Sequence, residues 1–127
     1  MNWSQAKNVR FNKLSLEAFI YSPVVYTDMT EEEKKYEALA KEMIELHCNN
    51  NFAFSTNMKE FKELLNDCHN NKSALNGILI GIGCFEYVMG NQAVLASTKE
   101  ARKKHKLFRN IARIYAGLAS KYLEVCV

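Results

Sequence analysis

The chain has 127 residues, 48% hydrophobic and 24% charged, with a single proline and five glycines. That length suits one domain with a core of its own and no covalent staples, and the scarcity of proline and glycine speaks against a turn-rich all-β protein. The formal net charge is +3, but its distribution says more than its size.

Residues 1–27 carry net +2, residues 28–67 net −5, residues 68–98 balance, and residues 99–127 carry net +6. The chain is therefore polarised, acidic in its second quarter and basic at its end. Met1 to Arg10 holds no apolar stretch of the kind a secretion signal needs. The expectation is a cytoplasmic protein in a reducing compartment. Its four cysteines, Cys48, Cys68, Cys84 and Cys126, should then be free thiols, mainly buried.

In chain order, residues 1–27 allow two readings: a first helix over Lys13–Tyr21, or a strand-like alternation of Leu14, Leu16, Ala18 and Ile20. Ser22-Pro23 ends either one. Thr30-Glu-Glu-Glu33 is a capping box, with Thr30 as N-cap and three glutamates at the positive end of a helix dipole. Tyr36, Leu39, Ala40, Met43, Ile44 and His47 follow at helical spacing and predict a helix over 31–48. Asn49-Asn-Asn51 stops it, and the aromatics of Phe52-Ala-Phe54 are expected to plug the core. Asn57 with Glu60 marks a second helix start, and Phe61, Leu64, Leu65 and Cys68 give a helix over 58–69 one apolar face.

Ser73 to Met89 is the most apolar stretch, with Glu86 its only charge. As a helix it has one stripe of large residues (Leu75, Ile78, Leu79, Ile82, Phe85, Met89) and one of small residues (Ala74, Gly77, Gly81, Cys84, Val88). A helix apolar nearly all round is buried. Each interior glycine costs about 1 kcal/mol relative to alanine, so the small stripe predicts close approach of a second helix backbone. The competing strand reading rests on the alternation of Ile78, Ile80 and Ile82 and on the turn dipeptide Asn76-Gly77, but the residues before it make a poor partner strand. Ser73 is the expected N-cap and Gly90-Asn91 the expected stop. The stretch is short for a membrane span and carries Glu86, so no membrane is expected.

Gln92–Ala96 reads as a loop or a first turn, and Ser97 with Glu100 as a capping box opening a long final helix over 98–124. Its buried side should hold Leu107, Phe108, Ile111, Ile114, Tyr115, Leu118, Ala119, Tyr122 and Cys126. Lys99, Arg102, Lys103, Lys106, Arg109 and Arg113 lie along the other side at steps of three and four. The fold predicted is thus all-α, a compact bundle of about five helices in one domain, with residues 73–89 inside.

Chemistry is sparse. His47-Cys48 and Cys68-His69 are ligand types for zinc, but their spacing matches no zinc pattern. Adjacent helical residues point about 100° apart, and antiparallel packing would put the two pairs at opposite ends of the bundle. Gly81-x-Gly83 lacks the third glycine of a dinucleotide fingerprint, since position 86 is Glu86. Glu86 itself reads as one half of an ion pair with a cation from a neighbouring helix, Arg113 being the expected partner. With two aspartates and three histidines in all, no catalytic constellation assembles. The expectation is a non-enzymatic protein without metal or cofactor. The basic face (Lys99, Arg102, Lys103, Lys106, Arg109, Arg113) is then the candidate binding surface, either for an acidic protein face, including a second copy of the chain, or for nucleic-acid phosphates without base readout. Aromatics do not interleave with these cations, which disfavours a stacking platform for single strands.

Overall fold

The computed structural model describes residues 29–49 and 54–126. The arm or first helix expected in residues 1–27, and the core-plugging role expected of the Phe52 and Phe54 side chains, lie outside what is described. Four helices are described: α1 (Glu31–Asn49), α2 (Phe54–Asp67), α3 (Lys72–Leu95) and α4 (Lys99–Glu124). The all-α expectation holds, with α3 at the centre of the bundle.

Helix α1 begins as the sequence predicts. The Thr30 backbone N–H donates to Glu33 Oε1 and the Glu33 N–H donates to Thr30 Oγ1, both at 3.0 Å. These bonds satisfy two donors that the first helical turn leaves free. Helix α2 starts earlier than expected, at Phe54 rather than 58. Asn57 is no cap. It is buried, and its Nδ2 donates to the His47 carbonyl at 3.2 Å, tying α2 to the end of α1.

Helix α3 differs at both ends from its sequence reading. The N-cap is Asn71, whose side chain accepts from the Ala74 N–H, not Ser73. The preceding Asn70 has φ 60°, a left-handed conformation that asparagine tolerates better than most residues. Helix α3 also runs through Gly90-Asn91 to Leu95. Two tertiary contacts override the local stop signal: Ala93 is buried, and the Arg109 side chain packs against the site of Gly90. Similarly, α4 is capped by Thr98, which accepts from the Ala101 N–H at 3.1 Å, and not by Ser97.

The small stripe of α3 does what its composition implies. A Cβ placed on Gly81 would sit 2.5 Å from the Glu37 carbonyl oxygen, and one on Gly77 would collide with the Glu33 carbonyl. The α1 backbone therefore lies directly on α3, and the paired steps 33–77 and 37–81 make the two helices parallel. Helix α4 runs antiparallel on another side of α3, with Arg113 on Glu86 and Arg109 on Gly90. Helix α2 follows the direction of α4: Phe61 stacks on Tyr115 with centroids 4.3 Å apart, and the Tyr122 hydroxyl donates to Asn66 at 2.6 Å. The path is up, down, up, down.

The large stripe of α3 forms the core with Ile44, Phe61, Leu65, Ala112, Tyr115 and Ala119. Each fully buried leucine or isoleucine contributes about 1.5–3 kcal/mol, so this layer dominates the stability. By length and composition α3 could cross a membrane. Here more than half of its most apolar window is enclosed by the bundle, and its buried acid Glu86 is paired to α4.

Candidate interaction face on the last helix

The amphipathic pattern of α4 places its cations as the sequence suggested, with two qualifications. Lys99, Arg102, Lys103 and Lys106 are exposed along the first two turns, and none of them is in an ion pair among the described residues. Arg113 is committed elsewhere: its Nε donates to the buried Glu86 carboxylate at 2.9 Å, the partnership expected from sequence. Arg109 is only half-exposed and turns its stem over Gly90. The free cationic face is thus the front half of α4. Lys104 lies beside it, 5.6 Å above the Phe108 ring.

The apolar side of α4 needs a correction. Leu107 and Ile114 were assigned to the buried side, but they are 56% and 49% exposed. Tyr115 and Ala119 from the same set are buried, and Phe108, Ile111, Leu118, Tyr122 and Cys126 are partly so. The helical period identified an apolar sector wider than the core can cover. Neighbours, not period, decide which edge stays bare. Leu107 and Ile114 are seven residues apart, so they share one line along the helix beside Lys103 and Lys106. The outer face of α4 is therefore cationic and apolar at once.

A second bare line was missed on α1. Leu39 is 37% and Leu46 64% exposed, again seven residues apart, with Glu42 and Glu45 exposed beside them. The repeat itself was the available signal: in each helix two large apolar residues recur one heptad apart beside a pair of like charges, Glu42 and Glu45 on α1 and Lys103 and Lys106 on α4.

At other helix ends lie the two His-Cys pairs. His47 is buried, its Nδ1 shares a 2.7 Å hydrogen bond with the Tyr115 hydroxyl, and its Nε2 lies 3.3 Å from Glu60 without hydrogen-bond geometry. Burial, then the nearby Glu45 charge, push the Cys48 thiol up to about 12. Burial likewise pushes up the thiol of Cys68, which shares a hydrogen bond with Tyr36 near the start of α1. The two pairs sit at opposite ends of the bundle, as antiparallel packing of α1 and α2 requires. Among the described residues no three His, Cys, Asp or Glu side chains cluster around a single point.

A cavity of about 170 Å³ opens between α1, α3 and α4, lined in part by Glu45, Cys48, Met89, Lys104, His105 and Phe108. His105 is half-buried there. The cavity is smaller than the roughly 300–1,000 Å³ of ordinary small-molecule sites.

Comparison with protein-family models, with curated proteins and with solved structures finds no match to this chain.

Proposed function

We propose that this chain is a non-enzymatic helical interaction protein whose docking surface is the outer face of α4. It binds an acidic face of a protein partner. The observation that carries the reading is that a line of exposed apolar residues on α4, Leu107 and Ile114, is flanked by exposed cations that have no ion-pair partner among the described residues, Lys99, Arg102, Lys103 and Lys106. Cations steer and orient an encounter, and apolar side chains supply affinity once water is expelled.

A second reading, a nucleic-acid-associated subunit that touches phosphates without reading bases, draws on the same cations. It leaves Leu107 and Ile114 without a use, because phosphate contacts are polar. Protein is therefore the favoured ligand.

The test compares the immobilised chain with its Lys103→Glu, Lys106→Glu variant in extract of the source cells. A protein retained by the first, lost from the second and insensitive to nuclease supports the reading. Retention that disappears with nuclease, and that weakens linearly in log–log fashion with salt, transfers the face to nucleic acid. Equal retention by both chains removes α4 as the docking surface.

A further inference from the structure

Two bare faces of this molecule match each other. On α1, Leu39 and Leu46 are exposed one heptad apart, and on α4, Leu107 and Ile114 are exposed one heptad apart. Seven residues rise about 10.5 Å along a helix, so the two apolar pairs have the same spacing.

Their charged flanks also correspond. At 100° per residue, Glu42 and Glu45 lie about 60° and 120° round the helix from Leu39. Lys103 and Lys106 lie about 40° and 100° round from Leu107 in the same rotational sense. Two helices with flanks of the same hand bring those flanks together only when they cross antiparallel. In that crossing the acidic flank of α1 and the basic flank of α4 lie on the same side of the contact. Among the described residues none of these four side chains is in an ion pair.

We propose that the chain associates with itself head to tail, with the outer face of α1 in one copy lying antiparallel on the outer face of α4 in the next. This rests on the reading of α4 as the docking face and names the acidic partner it takes. With Leu39 and Leu46 level with Ile114 and Leu107, Glu45 and Lys106 lie about two residues, or about 3 Å, apart along the axis, while Glu42 and Lys103 extend the acidic and basic flanks away from that pair in opposite directions. The like-charged alternatives, α1 on α1 and α4 on α4, are rejected by repulsion. Because the two patches differ, each contact leaves one α1 face and one α4 face open, and association propagates until a ring closes or a chain ends.

Light scattering on the purified full chain at low salt, up to about 1 mM, where even a contact worth about 4 kcal/mol is half-formed, reads this directly. The apparent mass should rise with concentration. It should fall back at about 1 M salt, where the screening length is about 3 Å. Glu42→Lys with Glu45→Lys should stay monomeric alone, and so should Lys103→Glu with Lys106→Glu. An equimolar mixture of the two should associate again, since each reversed face then meets its opposite. Leu46→Ser and Ile114→Ser, each with one live face, should form a one-to-one pair on mixing and nothing larger. All six altered residues are exposed, and unchanged thermal melts will confirm that the variants fold. A wild-type chain that remains monomeric throughout overturns the proposal, as does a charge-reversed mixture that fails to associate. If the wild type is monomeric yet still retains a protein from extract through Lys103 and Lys106, only the self-association falls and the α4 reading stands.

Discussion

Gly81 and Gly117 are the same residue in opposite surroundings. A Cβ on Gly81 would lie 2.5 Å from the Glu37 carbonyl oxygen, whereas one on Gly117 would meet nothing within 4 Å. In an exposed helix interior, glycine to alanine gains about 1 kcal/mol. At Gly81 that gain is opposed by displacement of the α1 backbone, and overpacking of this kind costs about 1–3 kcal/mol. Gly81→Ala should therefore lower stability, and Gly81→Leu should lower it severely, while Gly117→Ala should raise it by up to about 1 kcal/mol. Denaturant melts of the three variants check this. A Gly81→Ala chain as stable as wild type would mean that α1 does not rest on α3 as described. Glu86 was legible for a related reason. A lone acid in an apolar helix needs a cation from a neighbour, and Arg113 supplies it at 2.9 Å. The pair tethers α3 to α4.

Among the elements, helix existence was easier to read than helix ends. The capping box at Thr30 and the apolar spacing that follows located α1 to within one residue, because its start signal is local and complete. The start of α2 and the C-terminal end of α3 were missed because distant contacts decide them: Asn57 is held by the end of α1, and Gly90 lies under Arg109, while the start of α3 moved to Asn71 through a local bond to the Ala74 N–H. The start of α4 offers a clean experiment, because Ser97 and Thr98 are both plausible caps in sequence and only one is used. Thr98 accepts from the Ala101 N–H, so Thr98→Ala should cost about 1 kcal/mol. Ser97→Ala should change little. A reversed order in the two melting temperatures would move the helix start by one residue and restore the sequence reading. The candidate site was half legible in the same sense. Charge periodicity found the cations of α4, but no property of α4 alone could say that Leu107 and Ile114 stay uncovered. That depends on where α1, α2 and α3 end up.

For the whole molecule, the junction of α1, α2 and α4 sets a limit on alkaline stability. Cys48 and Tyr115 are both buried there. Burial, then Glu45, raises the Cys48 thiol from 9.0 to about 12, and burial, then Cys48 and Glu60, raises the Tyr115 hydroxyl. Both groups keep their protons in the folded chain at a pH where the unfolded chain has released them. Between pH 9 and pH 12 the unfolded state thus binds fewer protons, and unfolding free energy must fall as pH rises. The stabilisation is fully present below about pH 9 and lost as pH climbs through the folded values. For each such group the slope is about −1.4 kcal/mol per pH unit, so Cys48 alone accounts for roughly 4 kcal/mol across the window, a large share of the 5–15 kcal/mol that holds a typical domain together. Cys48→Ala removes this proton and relieves Tyr115 of a neighbouring charge. The variant starts from a lower stability because it leaves a small cavity, but its slope against pH above 9 should be shallower than wild type by about one proton. Denaturant midpoints at several pH values between 8 and 11 give both slopes. Parallel lines would show that the Cys48 thiol titrates alike in the folded and unfolded chains, and that this junction is open to water.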